Sequence, residues 1–78
     1  MRFKAVPIPV EFGMLSYAAK DGERSYVVVF DLNRPDRGWL ASWHKIGDLP
    51  DVINKLGNFD TRQDAIVALE KVHSNATR

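Results

Sequence analysis

The tetrapeptide Lys20-Asp21-Gly22-Glu23 separates two runs, "GMLSYAA" and "RSYVVVFDL", that are rich in β-branched and aromatic residues. An Asp-Gly pair between such runs is the strongest short-range hairpin signal, because the tight turn needs a positive φ that glycine adopts without steric cost. An antiparallel pair is therefore the expected starting point of the fold. In the second run Tyr26, Val28, Phe30 and Leu32 share one face, and Val27, Val29 and Asp31 share the other. A strand apolar on both sides near its centre is predicted to be an interior strand.

The flanking segments extend this pattern. "NRPDRG" is dense in turn formers and closes a second connection, after which "GWLASWHKI" reads as a third strand. Upstream, "RFKAVPIPVEF" alternates like a strand but contains Pro7 and Pro9. Both missing donors fall on one side, leaving Val6, Ile8 and Val10 to pair on the other, as in an edge strand blocked against further pairing. A polyproline-like arm is the alternative.

Downstream the period changes. In "GDLPDVINKLG" Leu49, Val52, Ile53 and Leu56 have helical spacing, with Asp48 as cap, proline in the first turn and Gly57 as stop. A short helix is expected there. "FDTRQDAIVALEKVHS" predicts a longer one: Thr61 or Asp60 caps it, and Thr61 with Asp64 resembles a capping box with a shorter acid. Ala65, Ile66, Leu69 and Val72 form its apolar stripe, while Arg62, Gln63, Glu70 and Lys71 face water. The expected fold is α+β, in one domain of residues 1–78. It consists of a three- to four-stranded antiparallel meander, a short helix, and a C-terminal amphipathic helix packed on one sheet face.

A chain of 78 residues buries only about 60% of its unfolded surface, so each large apolar side chain matters. With no cysteine there is neither a disulfide nor a thiolate metal site. Eleven Lys and Arg against ten Asp and Glu speak against a dedicated nucleic-acid binder, unless the cations gather on one face. The first residues lack the apolar stretch and cleavage site of a signal peptide, and no run approaches the ~20 apolar residues that span a bilayer. A cytoplasmic protein without a membrane partner is expected.

No chemical signature emerges. His44 and His73 stand on separate elements without metal-ligand spacing. Ser16, Ser25 and Ser42 lack a glycine elbow and a base. Asp31, Asp36, Asp48 and Asp51 fall at turns and caps, where short acids satisfy backbone donors. No catalytic, metal or cofactor-binding residue is assigned, no cofactor is implied, and the chain reads as non-catalytic.

The tryptophans carry the functional question. On a strand Trp39, Ala41, Trp43 and Lys45 share a face, opposite Leu40, Ser42, His44 and Ile46. Either both tryptophans lie in the core beside Phe30 or Tyr17, or they stand on an open face near Arg34, Arg37 and Lys45 as a contact surface. Trp39, Trp43, Arg34, Arg37, Tyr17 and Lys45 are the candidate partner-binding residues, since tryptophan, tyrosine and arginine are the usual interface anchors. The expected function is that of a small protein-binding module that masks part of a larger partner protein or complex. Inhibitors or accessory proteins of this kind are common in phages and mobile elements. The alternatives are a nucleic-acid-binding domain using its open sheet face, and a structural homodimer.

Around "LGNFDTRQDAIVALEKV" the chain resembles the strand-to-helix junction of small DNA-binding domains with three strands and a helix, as in certain plant transcription factors and integrase arms. The same helix is similar to that of antitoxins of the HicB type, whose preceding strand resembles "YVVVFDL". Thr61, Asp64 and Ala65 carry both resemblances. The expected second helix, the near-neutral charge and the missing Pro-Asp and Gly-Cys of the antitoxin pattern are departures, and neither likeness assigns a family.

Overall fold

Asp21 pairs with Arg24 across the predicted hairpin, so the two loop residues are Gly22 and Glu23. Gly22 has φ +61, and no described non-glycine residue has a positive φ. Only the first central position is therefore left-handed, which is the arrangement of a type II′ turn. A computed structural model describes residues 2–8, 10–47 and 53–76. Its strands are β1 (Lys4–Ala5), β2 (Met14–Asp21), β3 (Arg24–Asp31), β4 (Trp39–Lys45) and β5 (Asn54–Phe59), and helix α1 (Arg62–Ala76) follows them. Short 3-10 turns occupy Val10–Phe12 and Pro35–Arg37.

The strands form one antiparallel meander in the order β1-β2-β3-β4-β5. β3 is the central strand, as its two apolar faces require. The protein is thus an α+β fold with a helix packed on its sheet, and the sheet has five strands rather than three or four.

Two sequence expectations change. β1 is an edge strand, but it pairs only at Lys4↔Ala18 and Ala5↔Tyr17, with one further bond from Val6 N to Ser16 O at 2.8 Å. The chain leaves the sheet at Pro7, and Val10 begins a 3-10 turn, so Ile8 and Val10 are not ladder residues. The second change concerns the short helix expected around Leu49–Leu56. Residues 48–52 lie outside the described residues, Ile53 precedes β5, and Asn54–Phe59 is a strand paired with β4. Without it β4 would expose a full row of unpaired backbone groups, and tertiary pairing overrides a short local helical pattern. The register slips between Ala41 and Ser42, where Leu56 is the extra residue of a bulge beside Gly57. That slip lets Leu56 pack against the core.

The helix forms as its caps predict. Thr61 Oγ1 accepts a hydrogen bond from Asp64 N at 3.1 Å, satisfying one of the orphan donors of the first turn. Ala65 and Leu69 are fully buried against Tyr26, Val28 and Ala41. Ile66, Val72, Leu56, Phe59, Trp39 and Trp43 close round this cluster as half-buried residues. At about 1.5 Å per residue the helix is roughly 22 Å long, close to the length of a seven-residue strand at about 3.3 Å per residue. It lies over β3, β4 and β5.

Candidate functional site

The registers sort every strand residue onto one of two faces. On the helix side the cross-strand rows are Asp21–Arg24–Lys45; Ala19–Tyr26–Trp43–Asn54; Ala5–Tyr17–Val28–Ala41–Gly57; and Leu15–Phe30–Trp39–Phe59. On the other side they are Lys20–Ser25–His44; Lys4–Ala18–Val27–Ser42–Lys55; Ser16–Val29–Leu40–Asn58; and Met14–Asp31. No described element covers this second face.

Trp39 and Trp43 therefore lie on the helix side, and the arrangement in which they stand on the open face is not the one adopted. Trp39 packs against Phe30 (ring centroids 5.1 Å apart) and Tyr17 (6.0 Å), and the Arg62 guanidinium sits 4.4 Å above the Tyr17 ring. Arg24 lies 4.1 Å over the Trp43 ring. Both tryptophans are half-buried, supplying core area at the two ends of the helix–sheet contact.

The basic candidates do not converge. Lys45 is exposed at the hairpin end of the sheet, directly opposite Arg24. Arg34 and Arg37 lie in the connection after β3, at the other end, roughly 20 Å away at about 3.3 Å per strand residue. Asp31 behaves as a turn acid should: its Oδ1 accepts a hydrogen bond from Asn33 N at 2.9 Å. Asp48 and Asp51 fall outside the described residues.

Two features remain, one that escaped the sequence reading and one that it anticipated without naming its residues. The first is a polar chain at the hairpin end. His73 Nε2 lies 2.7 Å from Asp21 Oδ2, and His73 Nδ1 lies 3.3 Å from the hydroxyl of Tyr26. A carboxylate only accepts, so Nε2 carries a proton, and Nδ1 is the ring nitrogen left to share a hydrogen bond with the Tyr26 hydroxyl. The order hydroxyl–imidazole–carboxylate matches that of an acyl-transfer triad. Tyr26, however, is 0% exposed, so its hydroxyl has no surface of its own open to solvent. The chain works as a clasp, tying the last turns of α1 to the β2–β3 hairpin. One signal for it was present: His73 follows Leu69 by four residues and so belongs to the buried side of the helix.

The second feature is the open face itself. Ala18, Val27, Val29 and Leu40 form its aliphatic centre, with Ser16 and Ser25 as buried, short-chained positions between longer neighbours. Toward the end away from the hairpin it dips into a concavity of about 600 Å³ lined by Met14, Val29, Asp31, Arg37, Gly38, Leu40, Lys55 and Asn58. Asn58 Nδ2 donates to the Arg37 carbonyl at 2.8 Å, holding the β3–β4 connection against β5 at this margin. A smaller hollow of about 350 Å³ at the other end is lined by Asp21, Glu23, Arg24, Tyr26, Lys45 and His73, a mixed-charge set.

Among the described residues no three His, Cys, Asp or Glu side chains are grouped to hold a metal ion, and no helix is long and apolar enough to cross a membrane. The chain matches no family model, no curated protein and no solved structure.

Proposed function

We propose that the protein is a non-catalytic binding module that docks onto a larger protein through the sheet face its helix leaves bare. One observation carries this reading: α1 lies on one side only, and the other side presents Ala18, Val27, Val29 and Leu40 in adjoining rows with Met14 at their margin. Protein interfaces have this build, an apolar centre inside a polar rim, and an apolar sheet face of this kind marks an interaction site. Arg37, already a candidate from the sequence, belongs to the contact set because it lines the concavity beside Leu40. Trp39, Trp43 and Tyr17 act on binding indirectly, by fixing the sheet under the helix. Masking suits such a surface, since the aliphatic side chains at its centre supply area to bury against a partner.

The test is affinity capture from the native host with wild-type protein, Leu40→Glu and Trp43→Ala as baits, each checked by thermal melting. The expected result is that Leu40→Glu folds and loses the captured protein, whereas Trp43→Ala lowers the melting temperature and keeps it. Retention of the same protein by folded Leu40→Glu refutes the reading.

A further inference from the structure

The charges around the open face are not balanced as those of the whole chain are. Lys4 and Lys55 end the row that crosses all five strands, Lys20 ends the next row, and Arg37 stands over the concavity. At about 4.8 Å per strand, Lys4 and Lys55 flank the aliphatic strip from roughly 19 Å apart. Against these four cations, the described rows of the face and the lining of its concavity hold one carboxylate, Asp31, already bonded to the Asn33 amide. The chain as a whole has 11 basic and 10 acidic residues, so the sign of this face is a matter of placement and not of composition.

Resting on the docking role proposed above, we infer that the partner is an acidic protein surface: an apolar patch bordered by aspartate and glutamate. The cations sit at the rim, where opposite charge steers encounter and sets register, and the centre is aliphatic, where burial supplies affinity. Nucleic acid matches the rim but not the centre. Phosphates give an aliphatic floor nothing to bury against, and single-stranded bases require aromatic platforms. The strand aromatics Tyr17, Tyr26, Phe30, Trp39, Trp43 and Phe59 all lie on the helix side, so no stacking residue faces outward from the open rows except His44.

Three fluorescein-labelled probes test this by anisotropy at 50 and 200 mM salt: a peptide alternating leucine and glutamate, a 20-base-pair duplex and a thymidine 20-mer. The expected result is that the wild-type chain binds the peptide more tightly than either nucleic acid. The triple variant Lys4→Glu, Lys20→Glu, Lys55→Glu, folded by circular dichroism, should then bind the peptide at least tenfold more weakly. Tighter binding of either nucleic acid, no binding of the peptide, or equal peptide binding by wild type and triple variant overturns the inference. Leu40→Glu separates the two levels. If it abolishes peptide binding while the lysine variant does not, the acidic partner falls and the docking face stands; if neither variant has an effect, both fall.

Discussion

Leu69 and Leu40 are the same residue type on opposite faces of one sheet, and truncating each to alanine measures the one-sidedness of the fold. Leu69 is fully buried between α1 and the sheet, in contact with the Tyr26–Val28–Ala41 cluster. Losing its branched end removes transfer free energy and leaves a cavity bounded by a helix that cannot collapse onto it, a cost of about 3 kcal/mol within the usual 2–5. Leu40 is half-buried beside Val29 and Asn58, with no element above it. Truncation there removes only part of a side-chain burial and leaves no closed cavity, about 1 kcal/mol. A chain of this size has a total stability of roughly 4–12 kcal/mol. At about 4–8 °C per kcal/mol, Leu69→Ala should melt about 12–24 °C below wild type and Leu40→Ala about 4–8 °C below it. Urea denaturation followed by circular dichroism, on samples shown to be monomeric by sedimentation, gives both values, and equal slopes secure the comparison. Equal losses for the two variants would mean that the Leu40 face is roofed as the Leu69 face is, and the docking argument would fail. A Leu40→Ala penalty that grows with protein concentration would point to the homodimer.

Two further outcomes follow from named contacts. His73→Ala leaves the buried Tyr26 hydroxyl without its partner and should cost about 1–3 kcal/mol, against about 1 kcal/mol for Tyr26→Phe. In a double-mutant cycle the pair should couple by at least about 0.5 kcal/mol, and strict additivity would contradict the clasp. Gly38→Ala meets two obstacles: φ is +69, and an added Cβ would lie 2.3 Å from the Phe59 carbonyl oxygen. It should cost about 2 kcal/mol or more and shift the amide resonances of Trp39 and Phe59, and an unchanged spectrum would contradict the β4–β5 register.

The elements that read most directly from the sequence are those whose signals are local. The Thr61 cap, the Ala65–Leu69 stripe and the Gly22 turn each need only a few neighbouring residues, and all three are in place. β5 did not read as a strand because Ile53 and Leu56 have a helical spacing that a regular strand would put on opposite faces, and the bulge and the vacancy beside β4 that decide otherwise are properties of the whole sheet. The shared face of Trp39 and Trp43 followed from the strand period alone. Which side it turned to did not, since Val28 and Val29 offer both sides of β3 an apolar lining. The Asp21–Tyr26–His73 chain joins residues up to 52 positions apart, and no spacing rule reaches that far. The ring of lysines was equally hidden, because Lys4, Lys20 and Lys55 acquire a common face only once four registers are set.

The two margins of the sheet are unlike, and this limits how copies can associate. On one side β1 offers two residues before the chain leaves the sheet at Pro7; on the other, β5 offers six and no proline. Backbone pairing between molecules can therefore join β5 to β5 about a twofold axis, and the product then ends in β1 at both extremities. The two-residue margin of β1 gives a further strand little backbone to pair with, so strand-by-strand extension of the sheet has its longer template on the β5 side alone.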